Sequence, residues 1–141
     1  IRERLIRGRA AQARLVPLYA PADAPEDMLD ALADGLRPHL PISVLLLGMG
    51  ADMHTASLFP GADRLAEALS PQAPILMALR AEAAGEPRIT LTAPVLKGAM
   101  VTHILITGAE KRAALERAAT LSPTEAPIRA VLDNATVHWA E

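Results

Sequence analysis

The chain has 141 residues, of which 51% are hydrophobic and 21% are charged. This length and composition favour one folded domain with a substantial core and argue against a disordered chain. The net charge of -2 gives no general attraction to DNA or to an anionic membrane, and an aromatic content of 2% nearly excludes a base-stacking surface. We therefore expect a small-molecule partner, with no nucleic acid and no membrane.

The sequence contains no cysteine, so neither a disulfide framework nor a thiolate metal site can form. No apolar run approaches the about 20 residues that a membrane span needs, and the first residues do not have the pattern of a signal peptide. These features predict a cytoplasmic protein. The chain starts with IRER, without Met and in the pattern of a helix interior, which predicts a single α/β domain over residues 1–141 that lacks its N-terminal part.

The first predicted elements are a helix, a strand and a second helix. Residues 1–14 carry five Arg against one acidic residue, which fits a solvated helix face better than a phosphate-attracting patch. Residues 15–19 predict a short strand. The apolar spacing after Pro25 predicts a helix over residues 24–37, begun by a capping box at residues 23–26.

Two later segments share one design, an apolar strand followed by glycine and a helix. Residues 42–47 are rich in leucine and β-branched residues without alternation, which is typical of a parallel strand buried on both faces. Residues 101–107 repeat the pattern before Gly108 and a helix at residues 109–119. The design predicts an α/β fold of the Rossmann-like kind, with a doubly wound, mostly parallel sheet and helices on both faces. The other predicted elements are a helix at 63–69, a strand at 75–79, a loop at 81–87, a strand at 88–92, a helical turn at 94–99, a helix at 127–132 and a strand at 136–139.

The loop after residue 47 is the first candidate site, because ligands of open α/β sheets bind at the carboxyl ends of strands. Gly48 and Gly50 let the backbone approach a ligand, and Asp52 and His54 are titratable. Thr55 adds a hydroxyl group. The spacing also fits a plain turn with a capping aspartate and an exposed histidine, and Gly-x-Gly alone does not complete a dinucleotide fingerprint.

A longer resemblance covers this loop. Residues 47–61 read LGMGADMHTASLFPG, which resembles the signature of the 6-phosphogluconolactonase family. Further blocks agree across the chain, with PRITLT at 87–92, ITGAEK at 106–111 and PIRAVL at 127–132. The resemblance implies the fold of glucosamine-6-phosphate deaminase, ribose-5-phosphate isomerase and CoA-transferase. It also implies hydrolysis of 6-phospho-D-glucono-1,5-lactone to 6-phosphogluconate, in the pentose phosphate pathway and without a cofactor.

Under this resemblance the loop residues take chemical roles. His54 is expected to accept a proton from water and to return it to the leaving ring oxygen, since an imidazole titrates close to neutral pH. Asp52 either orients this imidazole or the water, or only caps the loop. Gly48, Gly50 and Thr55 are expected at the substrate, with backbone amides stabilising the oxyanion. No metal site is expected, because Asp52 and His54 alone make a poor ligand pair.

Two cations are expected to bind the substrate phosphate. Lys111 falls in the first turn of the helix after Gly108, where the backbone amides and the helix dipole favour an anion. Arg88 opens a predicted strand and can offer a bidentate guanidinium. Similar residues bind phosphate in the related deaminases. Without that relation, each residue would be a solvent-facing charge.

The sequence departs from the family pattern in two respects. Relatives carry a glycine-rich phosphate loop and an Asp-Glu-Arg segment nearer the N-terminus, and neither is found in these residues, so residues 1–141 alone are expected to have weak or no activity. In addition, Met53 stands where the signature usually has Gly. We expect a positive φ there, with about 1 kcal/mol of strain or more and the side chain at the pocket rim.

Two other functions remain open from the sequence. A sugar-phosphate isomerase or deaminase of the same fold would share the phosphate cations, and a sugar-phosphate-sensing domain would bind without turnover. No helix-turn-helix pattern accompanies the second alternative in these residues. The remaining histidines, His39, His103 and His138, are expected to have structural roles, and the sequence carries no signal for an oligomeric state.

Overall fold

The computed structural model describes residues 1–141. Its α-helices are, in chain order, α1 (Arg2–Leu5), α2 (Leu29–Leu36), α3 (Leu65–Leu69), α4 (Ala93–Lys97), α5 (Ala109–Ala118) and α6 (Arg129–Leu132). Its strands are β1 (Val44–Leu47), β2 (Leu76–Leu79), β3 (Arg88–Leu91), β4 (Val101–Thr107) and β5 (Ala135–Ala140). No helix combines the length and the apolar character that a membrane span requires.

Three strands form a parallel sheet in the order β1-β4-β5. Val44 pairs with Val101 at the start of the β1–β4 ladder, and Thr102 pairs with Ala135 at the start of the β4–β5 ladder. The other two strands, β2 and β3, form a separate antiparallel pair. The predicted α/β class with a mostly parallel sheet is confirmed, and each strand predicted from residue 42 onwards is present within two residues of its expected bounds.

The main core lies on one face of the parallel sheet. Alternate residues of β1 and β4, including Leu45, Leu47, Ile104 and Ile106, point into it and are at most 9% exposed. The helices and β2 close over these side chains with buried residues such as Leu65, Met77, Leu79, Leu96, Ala114, Ala118 and Val131. The two buried alanines of α5, Ala114 and Ala118, leave little side-chain bulk on the face of the helix that packs on the core.

The opposite face of the sheet is exposed in this chain. Val44 and Leu46 of β1 are 64% and 66% exposed, and Leu105 of β4 is 51% exposed. The prediction that β1 is buried on both faces is therefore wrong for these 141 residues. The apolar run that suggested it is real, but only alternate residues find packing partners within the chain.

No strand forms at residues 15–19, so that prediction is also wrong. The segment has no neighbouring strand and bends at residue 18, and Pro17 has no N–H to contribute to a ladder. Instead, Val16 and Leu18 pack on a second, small core around Leu32 and Leu36 of α2. The apolar residues of this segment thus pack against a helix and do not belong to a strand.

The helix predicted over residues 24–37 is divided into three pieces. A 3-10 turn (Pro25–Met28) precedes α2, and another (Arg37–His39) follows it. At the first turn the Ala24 N–H donates to Asp27 Oδ2 at 3.2 Å, so the capping carboxylate is Asp27 and not Glu26. Glu26 instead binds the Arg80 guanidinium at 2.6 Å, and this hydrogen bond holds the pKa of Glu26 below its usual value.

Candidate active site

The parallel pairing of β1 with β4 brings two predicted site segments to one edge of the sheet. Leu47 ends β1 and lies beside Ile104 of β4, which continues to Thr107. The loop that starts at Gly48 and the helix α5 that starts after Gly108 both leave from the carboxyl ends of these strands. This is the edge at which open α/β sheets bind ligands.

Asp52 and His54 contact each other in this loop. Asp52 Oδ1 lies 2.6 Å from His54 Nδ1, and the same oxygen accepts the backbone N–H of His54 at 3.2 Å. The His54 side chain is 30% exposed, so its ring remains accessible to a ligand. The two titratable residues that the sequence singled out therefore form one pair.

Gly50 makes room for this pair. A Cβ atom built on Gly50 would overlap Asp52 Oδ1 and the His54 ring, whereas one built on Gly48 would meet nothing within 4 Å. The Gly50 N–H donates to the His54 carbonyl at 3.1 Å, which folds the loop back over the glycine. Gly50 is thus needed for close approach of side chains within the loop.

Met53 has the positive φ expected from its position in the signature, with a value of 67°. Its N–H donates to the Gly50 carbonyl at 3.0 Å, and its carbonyl accepts the Ile128 N–H at 3.1 Å. The side chain is partly buried and packs against the main core, and its place at a pocket rim stays a prediction. Ala56 also has a positive φ, of 50°, which the sequence gave no reason to expect.

Two residues that no sequence pattern indicated support the loop. Phe59 stacks on the His54 imidazole with ring centroids 4.2 Å apart and an interplanar angle of 27°. Thr90 of β3 accepts the Ser57 N–H at 3.1 Å. The chain has only one Phe, one Tyr and one Trp, and this rarity was a feature of the sequence that could have drawn attention to Phe59.

Thr55 is fully buried, and its hydroxyl donates to the Gly48 carbonyl at 2.9 Å. This bond ties the end of the loop to its beginning. The structure thus gives Thr55 a role in shaping the loop, and its contact with a substrate stays a prediction.

Lys111 lies in the first turn of α5 and is partly buried. Lys111 and its neighbour Arg112 differ in their ion pairs. Arg112 pairs with Glu116 at 3.2 Å, whereas no carboxylate lies within 4.0 Å of the Lys111 ammonium. An ammonium without a counter-ion at the start of a helix suits an anionic ligand.

Arg88 lies apart from the parallel sheet, at the start of β3. Its guanidinium contacts Glu86 at 3.1 Å and donates to the Ala84 carbonyl at 3.3 Å. It borders a groove of about 400 Å³ whose lining also includes Ser57 and Tyr19. The groove thus reaches the loop at Ser57, and neither Asp52 nor His54 lines it, so the phosphate contact of Arg88 stays a prediction.

The described residues contain no group of three or more His, Asp or Glu side chains placed to hold a metal ion. The His103 and His138 rings do contact each other, with 3.0 Å between Nδ1 and Nε2 across β4 and β5. They are a pair on the exposed sheet face.

The backbone at Met53 gives a test of the loop. Met53→Gly is expected to change the free energy of unfolding by less than about 1 kcal/mol, because release of the positive-φ strain offsets the added backbone entropy and the lost packing. Met53→Val is expected to lower it by about 1 to 3 kcal/mol, since a β-branched residue suits φ of 67° poorly. Urea denaturation of the three proteins measures both. A larger loss for Gly than for Val would contradict the assignment of strain.

Comparison with known proteins places the chain among relatives of one family. The family model described as glucosamine-6-phosphate isomerases/6-phosphogluconolactonase matches residues 1–139. A 6-phosphogluconolactonase of Rhizobium meliloti (strain 1021) is 42% identical over 99% of this chain and 63% of its own length, and one of Pseudomonas aeruginosa is 40% identical over 99% and 60%.

Solved structures agree as well. The crystal structure of a 6-phosphogluconolactonase from Shewanella baltica OS155 superimposes with a TM-score of 0.92 at 31% identity, covering 99% of this chain and 62% of that one. The chain thus spans about three fifths of the length of these relatives. With a family match over nearly all of its residues, the chain belongs to the glucosamine-6-phosphate isomerase/6-phosphogluconolactonase family.

Proposed function

We propose that this chain carries the catalytic loop of an enzyme that hydrolyses 6-phospho-D-glucono-1,5-lactone to 6-phosphogluconate. The observation that carries the proposal is the 2.6 Å contact between Asp52 Oδ1 and His54 Nδ1 at the ligand-binding edge of the sheet. The names of the relatives support the same reaction. A phosphorylated sugar does not cross membranes unaided, which fits the cytoplasmic location expected from the sequence.

His54 acts as the general base and then as the general acid. An ionised Asp52 carboxylate can only accept a hydrogen bond, so Nδ1 carries the proton and Nε2 presents its lone pair. Nε2 takes a proton from water as the water oxygen bonds to the lactone carbonyl carbon. When the bond between that carbon and the ring oxygen breaks, Nε2 returns the proton to the departing oxygen, which gives a hydroxyl and a carboxylic acid.

Free backbone amides at the start of the loop are suited to the oxyanion of the tetrahedral intermediate. The N–H groups of Gly48 and Met49 have no acceptor within the chain, whereas that of Gly50 is taken by the His54 carbonyl. We therefore propose the Gly48 and Met49 N–H groups as the donors to the oxyanion. Such preorganised donors stabilise charge that develops only in the transition state.

Lys111 is proposed to bind the substrate phosphate from the first turn of α5, and Arg88 to reach it from β3. Lys111 is the stronger candidate because its ammonium has no carboxylate partner, while Arg88 must share its guanidinium with Glu86. Charge-assisted hydrogen bonds of this kind contribute about 1.5 to 3 kcal/mol each.

Replacement of His54 tests the assignment. His54→Gln is expected to lower lactone hydrolysis by about 10²- to 10⁴-fold with the fold intact. His39→Gln, an exposed histidine at the end of the α2 region, is the matched control and is expected to change nothing. The rate of spontaneous lactone opening is subtracted, and both substitutions are made in the full-length protein.

A panel of substrates separates the alternatives. The proposal expects hydrolysis of the phosphorylated lactone and no ammonia from glucosamine 6-phosphate, because the deaminase needs a second base beside the sugar and Asp52 is the only carboxylate in residues 48–61. Ammonia release without lactone hydrolysis would identify a deaminase. Tight sugar-phosphate binding with neither reaction would identify a sensor, and normal turnover by folded His54→Gln would remove His54 from the mechanism.

The phosphate assignment has its own test. Lys111→Ala and Arg88→Ala are each expected to lower the ratio of kcat/KM for the phosphorylated lactone to that for glucono-1,5-lactone by about 10-fold or more, given the energy of such contacts. Lys97→Ala, which removes the only other lysine from an exposed position on α4, serves as control. If both variants keep the wild-type ratio, the phosphate binds elsewhere.

A further inference from the structure

The first turn of α5 lacks an ordinary N-terminal cap. Gly108 occupies the N-cap position with φ of 85°, and no side chain of its own caps the helix. A glycine in this conformation is readily accommodated but leaves the backbone free to move. Whatever fixes the start of α5 must therefore come from another element.

The end of β5 supplies that fixation. The Gly108 N–H donates to the Ala140 carbonyl at 2.8 Å, and the Trp139 indole Nε1–H donates to the Gly108 carbonyl at 3.0 Å. The same carbonyl accepts the first helical hydrogen bond, from the Arg112 N–H at 3.3 Å. Trp139 thus binds the atom at which the helical ladder of α5 begins.

The indole ring makes a second contact with the same turn. The Arg112 guanidinium carbon lies 4.7 Å from the centroid of the Trp139 ring, which is within the range of a cation–π interaction. Trp139 therefore touches the residues on both sides of the Ala109–Lys111 segment.

We propose that Trp139 is a positioning residue of the phosphate site, acting through Gly108 and Arg112 on Lys111. The inference rests on the proposed function, since it takes Lys111 as a phosphate ligand. Misplacement of a binding group by about 1 Å is enough to lose much of its contribution. An indole that fixes both ends of the turn limits such movement.

Trp139→Phe keeps an aromatic face for Arg112 and removes the indole donor. We expect the ratio of kcat/KM for the phosphorylated lactone to that for glucono-1,5-lactone to fall about 3- to 10-fold, through KM of the phosphorylated substrate, as for the loss of one hydrogen bond. Trp139→Ala should lower the ratio further. Val137→Ala, two residues earlier on β5, is the control for general loosening of the strand and should leave the ratio unchanged.

The results distinguish a failure of the positioning role of Trp139 from a failure of the proposed function. If Lys111→Ala lowers the ratio and Trp139→Phe does not, or if Trp139→Phe affects both lactones equally, the positioning role is refuted while the proposed function stands. If Lys111→Ala leaves the ratio unchanged, the phosphate role of Lys111 fails, and the positioning role fails with it.

A second measurement does not depend on turnover. Trp139 is the only tryptophan in the chain, so its fluorescence reports on this turn alone. Titration with inorganic phosphate is expected to change the emission saturably, with weaker binding in Lys111→Ala and unchanged binding in Arg117→Ala at the other end of α5. Absence of a saturable change in the wild-type protein would overturn the proposal.

Discussion

The contact between Asp52 and His54 places the strictest demand on the local structure. Two side chains separated by one residue must turn towards each other over the backbone, and the loop meets this demand with a glycine at position 50 and a left-handed conformation at Met53. The Gly50 and Met53 backbone hydrogen bonds close the turn, and Phe59 supports the imidazole from one side. The chemistry of the loop thus depends on backbone conformations that most residues resist.

The parallel sheet connects this loop to its expected ligand contacts. Because β1 and β4 are neighbours and run in the same direction, the His54 loop and the start of α5 leave from one edge. The β5 strand, paired to the other side of β4, reaches the same edge and fixes Gly108. The proposed site is therefore built on three adjacent strand ends, and Arg88 lies on the separate β2–β3 pair.

Local patterns in the sequence were sufficient for most elements after residue 42. The strand–glycine–helix units predicted β1, β4 and α5, and the signature around Asp52 and His54 located the loop and the positive φ at Met53. These local patterns did not predict contacts between residues that are distant in the sequence. The bond from Ser57 to Thr90, the stacking of Phe59 and the packing of Val16 and Leu18 in place of a strand all depend on tertiary neighbours that periodicity does not encode.

In the proposed mechanism, Asp52 holds the His54 ring with its proton on Nδ1 and its lone pair on Nε2. Long-range proton–nitrogen correlation spectra of the ¹⁵N-labelled protein, recorded at a pH where the His54 ring is neutral, distinguish the two tautomers directly. The account predicts a protonated Nδ1 and an unprotonated Nε2 for His54, and loss of this preference in Asp52→Ala. A neutral His54 with the proton on Nε2 would contradict the account, because that ring could not accept a proton from water at the exposed nitrogen.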